Sequence, residues 1–168
     1  KNKEEKQPKF QTVTNGHVTE TRLSLDLHTG THVDAPLHMM NDGETMETIP
    51  LERLVRPVKL FDLTHVNDGI TKEDIADLPI DKGDFILFKT SNSFDEAFNF
   101  EFIYVKEDAA RYLAEKGIDG VGIDSLGIER AQEGHPTHRT VFQNDIIVME
   151  GLGLKDVEAG RYFMVAAP

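Results

Sequence analysis

Residues 106–124 read KEDAARYLAEKGIDGVGID, and they hold the two periods of an α/β chain side by side. Ala109, Ala110 and Leu113 recur at helical spacing along Lys106–Lys116, and Gly117 stands where a helix is closed. Gly120–Asp124 (GVGID) then changes to a short apolar strand. Upstream, Asp84–Thr90 (DFILFKT) is an apolar run of strand length and predicts a buried strand. Thr71, followed three residues later by Asp74, predicts an N-cap opening a short helix that stops before Pro79. Val58–Val66 (VKLFDLTHV), Asp145–Glu150 (DIIVME) and Arg161–Ala166 are further strands, and Pro136–Gln143 is one or two helical turns. Near the start, Leu23, Leu25 and Leu27 alternate with Ser24, Asp26 and His28, so Val18–Leu27 predicts a half-exposed strand running into His28. Strands outnumber helices, and their order suits a mixed α/β domain.

The chain has 168 residues, 39% hydrophobic and 29% charged, the profile of a soluble globular protein. No repeat or low-complexity linker divides it, so residues 1–168 are expected to form one domain. Tyr162–Pro168 reads as a strand without a tail, and no Met opens the chain, so residues beyond both termini are expected. Lys1–Lys9 is charged with no apolar stretch behind it, and no signal peptide is expected. No run approaches the ~20 apolar residues of a membrane span. The formal net charge of −12 repels phosphate backbones and anionic lipid, so neither nucleic acid nor membrane is an expected partner. The same charge suits a cytoplasmic protein and attracts divalent cations. With no cysteine, disulfides and thiolate chemistry are excluded, and any metal must be held by His, Asp and Glu.

One stretch concentrates such ligands. His28-Thr29-Gly30-Thr31-His32-Val33-Asp34-Ala35-Pro36-Leu37-His38 places three of the seven histidines and a carboxylate within eleven residues. Gly30, Pro36 and the β-branched Thr29, Thr31 and Val33 argue against a helix. On an extended chain His32 and Asp34 share a side, and Gly30 permits a bend that brings His28 to join them. Two imidazoles and a carboxylate suit Zn²⁺, Mn²⁺ or Fe²⁺ with a position left open. The plain alternative is a polar strand end with solvated histidines. Farther on, Glu150 closes an apolar strand twelve residues after His138, a place for a ligand or for an ordinary solvated end. His135 is expected on a loop, and His17 and His65 are isolated. Asp124-Ser125-Leu126-Gly127 lacks the glycine that a nucleophile elbow needs two residues before its serine, so Ser125 is read as structural. Gly151-Leu152-Gly153 is read as a turn.

The string HTGTHVDAPLH resembles the HxGTHxDxPxH signature of the cyclase-like metal-dependent hydrolases, the family of bacterial kynurenine formamidase (arylformamidase) and isatin hydrolase. Ile146–Leu152 resembles that family's downstream I-x-x-x-E-G-L segment. The resemblance implies a swivelling β/β/α domain, assembled as a homodimer or homotetramer whose subunits help wall the site. It implies one metal on His28, His32 and Asp34, and a second on His138 and Glu150, with Asp34 bridging the two. It makes His38 the general acid/base. Two divalent ions per chain are implied, Zn²⁺ first and Mn²⁺ second, with a small-molecule amide as substrate and a place in tryptophan catabolism.

The chemistry follows from such a site. Water between two divalent ions loses its proton near neutral pH, and the hydroxide attacks an amide carbonyl whose oxyanion a metal stabilises. His38 can move a proton to the departing nitrogen. The leading reading is therefore a metal-dependent amidohydrolase of the N-formylkynurenine type. The alternatives are hydrolysis of a cyclic amide, imide or lactone, and a metal-binding protein without turnover. There is no Trp and there are three Tyr, so an aromatic substrate wall must come from Phe94, Phe98, Phe100 and Phe102 or from a partner subunit. That phenylalanine cluster reads first as core or interface packing.

Overall fold

The computed structural model describes residues 7–95, 97 and 99–167. Strands β1 (Lys9–Asn15) and β2 (Val18–Ser24) pair antiparallel around the Gly16-His17 turn. There follow β3 (His32–Asp34), β4 (Val55–Asp62), β5 (Gly69–Ile70), α1 (Lys72–Ile75), β6 (Phe85–Lys89) and β7 (Tyr104–Val105). The chain ends with α2 (Glu107–Lys116), β8 (Gly120–Ile123), α3 (Pro136–Gln143), β9 (Ile147–Glu150) and β10 (Gly160–Val165). The main sheet has six strands in the order β10-β4-β6-β8-β9-β3. Its four inner strands run parallel, and the two outer ones are antiparallel to their neighbours. Among the described residues no helix is long and apolar enough to cross a membrane.

The inner strands carry side chains into apolar layers on both faces. Ile86 and Phe88 of β6 pack with Ala109, Ala110 and Leu113 of α2 and with Val141 and Phe142 of α3. Phe85 and Leu87, pointing the other way, join Leu54, Val58, Leu60, Ile147 and Met149. This two-sided burial explains why FILFK reads as a continuous apolar run rather than an alternation. The mixed α/β expectation holds, and so do the two longer helices. At α1 the predicted cap is tied to Asp74: the Thr71 hydroxyl and N–H both donate to Asp74 Oδ2, at 2.7 Å each.

Two strand expectations need correction, and one strand is new. The strand predicted over 58–66 instead spans Val55–Asp62. It ends at Asp62 because that carboxylate turns the chain, accepting the N–H and the hydroxyl of Thr64 at 2.9 and 2.7 Å. It starts earlier because Pro57 needs only β10 beside it; pairing with β6 begins at Lys59. The strand predicted over 18–27 stops at Ser24, and every residue of it is exposed rather than alternately buried. Its partner β1 was not anticipated, although Asn15-Gly16 is a recognisable hairpin signal. This ribbon stands clear of the core, so its Leu/Ser alternation records no burial within the chain.

Candidate metal centre

The site forms where β3 joins the sheet. Antiparallel pairing sets His32 opposite Glu150, the last residue of β9, and Asp34 opposite Val148. Ligands in open α/β sheets commonly bind at such strand ends. The loop before β3 bends at Gly30, whose φ of +70° is the left-handed turn the sequence called for. It then crosses Gly151, where any Cβ would run into the Gly30 carbonyl, so this close approach demands glycine. The Thr31 hydroxyl ties the crossing by donating to Gly151 O at 2.8 Å. Where a turn was expected over 151–153, the chain bends at Gly151.

The five ligand-type residues converge. His28 Nδ1 lies 3.0 Å from Asp34 Oδ1, and His32 Nε2 lies 3.2 Å from the same oxygen. The two imidazole nitrogens are themselves 3.0 Å apart. His138 Nε2 lies 3.9 Å from the other oxygen, Oδ2, and 3.5 Å from Glu150 Oε1. His32 Nε2 stands 3.6 Å from Glu150 Oε2. Asp34, His138 and Glu150 are buried, at 1%, 5% and 4% exposure, while His28 is open to solvent. His32 is oriented by its Nδ1, 3.1 Å from the Gly30 carbonyl. Despite these short distances, both Asp34 oxygens and His138 Nε2 lack any aligned hydrogen bond. Buried polar atoms left without a partner are costly, and cations bound among these side chains would satisfy them.

The electrostatics agree. Burial works against a charged His138, yet Glu129 and Glu150 outweigh it and push its pKa up to about 9. Burial likewise opposes protonation of His32, but Asp34 and Glu150 hold its pKa above the ordinary value. Burial would raise Asp34, whereas the surrounding imidazoles bring it below the usual carboxylate range. The potential that retains these protons also favours a divalent cation. His38 behaves differently. Burial, reinforced by His28 and His138, lowers its pKa despite the Asp34 carboxylate. Its ring sits 4.1 Å from that of His28 and 5.8 Å from that of His138, on the exposed rim. One His38 nitrogen also falls close enough to Asp34 and His138 to form a ligand set with them.

Glu129 was missed. It is 7% exposed, and its Oε2 accepts the His138 backbone N–H at 3.0 Å and lies 2.8 Å from His138 Nδ1. The signal was a carboxylate nine residues before His138 in a segment read only for its serine. Ser125 is structural, as expected: its hydroxyl donates to Gly127 O at 2.6 Å. His135 precedes the first residue of α3 without a side-chain cap hydrogen bond, and His65 lies exposed beyond the end of β4.

A cavity of about 210 Å³ opens beside His28 and His32. Phe102, Leu126 and Leu152 supply apolar wall, and Asn92 and Ser93 supply polar groups. The turn bearing those two is pinned by buried Asp124, which accepts the N–H and hydroxyl of both Thr90 and Ser93. Of the four phenylalanines, Phe102 lines this cavity, Phe94 and Phe100 are 51% and 65% exposed, and Phe98 lies outside the described residues.

Residues 3–130 match the Cyclase family, described as “Putative cyclase”. The chain belongs to this family. A kynurenine formamidase of Salinibacter ruber (strain DSM 13855 / M31) is 33% identical over 149 residues, covering 87% of this chain and 70% of that protein. A solved structure described as a predicted metal-dependent hydrolase from Bacillus stearothermophilus shares 71% identity, with a TM-score of 0.91 over 99% of this chain and 82% of that one. Isatin hydrolase A from Labrenzia aggregata, bound to benzyl benzoate, has the same fold at 23% identity, with a TM-score of 0.80 over 95% of this chain and 77% of that one. The chain is a metal-dependent hydrolase of the cyclase family.

Proposed function

We propose that this protein cleaves the carbon–nitrogen bond of a small aryl formamide of the N-formylkynurenine type, at a centre of two divalent ions held by His28, His32, Asp34, His138 and Glu150. One observation carries the proposal. Asp34 is buried with both oxygens unpaired, one turned to His28 and His32 and the other to His138, as a bridging carboxylate requires. The all-nitrogen-and-oxygen donor set suits Zn²⁺, with Mn²⁺ second. When bound, such ions polarise a carbonyl oxygen and make water acidic enough to attack it.

The chain's own residues do the rest. The cavity beside His28 and His32 accepts the aryl group against Phe102 and Leu152 and sets the formyl carbon over the ligands. His38 is neutral at neutral pH because its pKa is lowered, so a ring nitrogen can take the proton from the attacking water. The same nitrogen returns that proton to the amine as the carbon–nitrogen bond breaks, giving formate and the free arylamine. The test is to offer N-formylkynurenine, isatin and a simple lactone to protein loaded with Zn²⁺ or Mn²⁺ and to follow absorbance. Release of the arylamine from the formamide is expected. Turnover of isatin or the lactone alone would move the assignment to a cyclic substrate, and turnover of none would leave a metal-binding protein.

The proposal includes a homodimer or homotetramer. Every residue of the β1–β2 ribbon is exposed, with Phe10 at 70%, and Leu27 just before His28 is 82% exposed. An isolated two-stranded ribbon is marginal in water, and a second copy covering it would also wall the site. Light scattering on a sizing column should return a multiple of the chain mass, and a monomer at micromolar concentration would refute this part. A cytoplasmic location is in keeping with the acidic, cysteine-free chain.

A further inference from the structure

Among the buried groups that the proposed reaction leaves unused, Glu129 stands out for where its four contacts lie. Its Oε2 accepts the His138 backbone N–H and faces the imidazole Nδ1 at 2.8 Å; its Oε1 accepts Thr137 N–H at 3.2 Å and the Gln132 side-chain amide at 2.8 Å. The side chain is 1% exposed. On the far side of the same ring, His138 Nε2 is buried and unpaired, 3.5 Å from Glu150 and 3.9 Å from Asp34. A neutral imidazole has one N–H and one lone pair, and an acceptor at Nδ1 fixes the proton there. We infer that Glu129 is a positioning residue: in the neutral ring that metal binding requires, it holds the His138 proton on Nδ1 and turns the Nε2 lone pair toward Asp34 and Glu150.

This inference rests on the two-ion reading above. Carboxylates behind a ligand histidine fix its ring and raise its basicity, and losing one typically weakens metal binding by about 10–100-fold. The first ligand group is built on the same plan with a different acceptor, since Gly30 O sits behind His32 Nδ1 at 3.1 Å. Glu129 does a second job. By accepting two N–H groups in the first turn of α3 it caps that helix, so deleting it also costs stability. Glu129→Gln keeps an acceptor for the cap while removing the charge, and Glu129→Ala removes both.

The experiment is Zn²⁺ titration against a chromophoric chelator, on wild type, Glu129→Gln, Glu129→Ala, His138→Ala and the Glu129→Gln/His138→Ala pair. Melting of each metal-free protein reads the capping role separately. The expected result is about a tenfold weakening of one equivalent in Glu129→Gln and up to about a hundredfold in Glu129→Ala. The equivalent that His138→Ala retains should be unchanged, and Glu129→Gln should add nothing once His138 is gone. Two results overturn the inference while leaving the centre intact: both Glu129 variants bind two equivalents within about twofold of wild type, or Glu129→Gln weakens binding equally in the His138→Ala background. A wild-type chain that takes up no second equivalent would instead overturn the two-ion reading, and the inference with it.

Discussion

His38→Ala is expected to lower formamide turnover by about 10²–10⁴-fold while the protein keeps its metal. The expectation follows from where the ring sits. His38 ends a tight Pro36–His38 turn whose backbone is fixed by its own N–H to Ala35 O at 2.9 Å and by Leu37 N–H to Glu44 O at 3.0 Å. The turn carries the imidazole over His28 at the open face, where a substrate nitrogen would leave. His38 sits on the exposed rim, where burial and two neighbouring imidazoles lower its pKa against the pull of the Asp34 carboxylate. A base has to be neutral to accept a proton, and one with a lowered pKa gives it back readily. The competing role is real, because a His38 nitrogen also lies within reach of Asp34 and His138. Metal analysis of the variant separates the two roles. If metal leaves together with activity, His38 is a ligand and the proton must be moved by another group.

Much of this was legible beforehand because the decisive signals are local. The 28–38 stretch carries its ligands, its bend and its strand within one segment, so period and glycine position sufficed to bring His28, His32 and Asp34 together. His138 and Glu150 were harder. Their place beside Asp34 depends on β3 pairing antiparallel with β9, a contact between segments more than a hundred residues apart that no periodicity encodes. Glu129 was missed for the same reason, since its value lies in an Nδ1 that only the fold brings to it. The β1–β2 ribbon failed differently. Alternation is evidence of burial only where a core lies beneath the strand, and here none does.

Asp34→Asn is expected to abolish metal binding and, with it, the metal-dependent part of stability, without unfolding the metal-free protein. The wild-type carboxylate is 1% exposed, carries a charge, and has no aligned hydrogen bond to either oxygen. In the absence of a cation that arrangement is a liability, eased by the surrounding imidazoles, His32 first. Asparagine keeps the shape and removes the charge, so the metal-free variant should melt close to the metal-free wild type or slightly above it. The loaded proteins should part company. A ligand present at a hundred times its Kd adds about 2.7 kcal/mol to the folded state, which in a domain of this size is about 5–10 °C in Tm. Chelator should therefore lower the wild-type Tm by that order, Zn²⁺ should restore it, and Asp34→Asn should respond to neither. Metal content should fall from about two equivalents to none, because both ligand groups lose the carboxylate they share. A variant that still holds one tight equivalent would show that the two groups bind independently and that Asp34 does not bridge. Wild-type protein whose Tm ignores both chelator and Zn²⁺ would go further, leaving the cluster of Asp34, His138 and Glu150 as a buried network held together by protons alone.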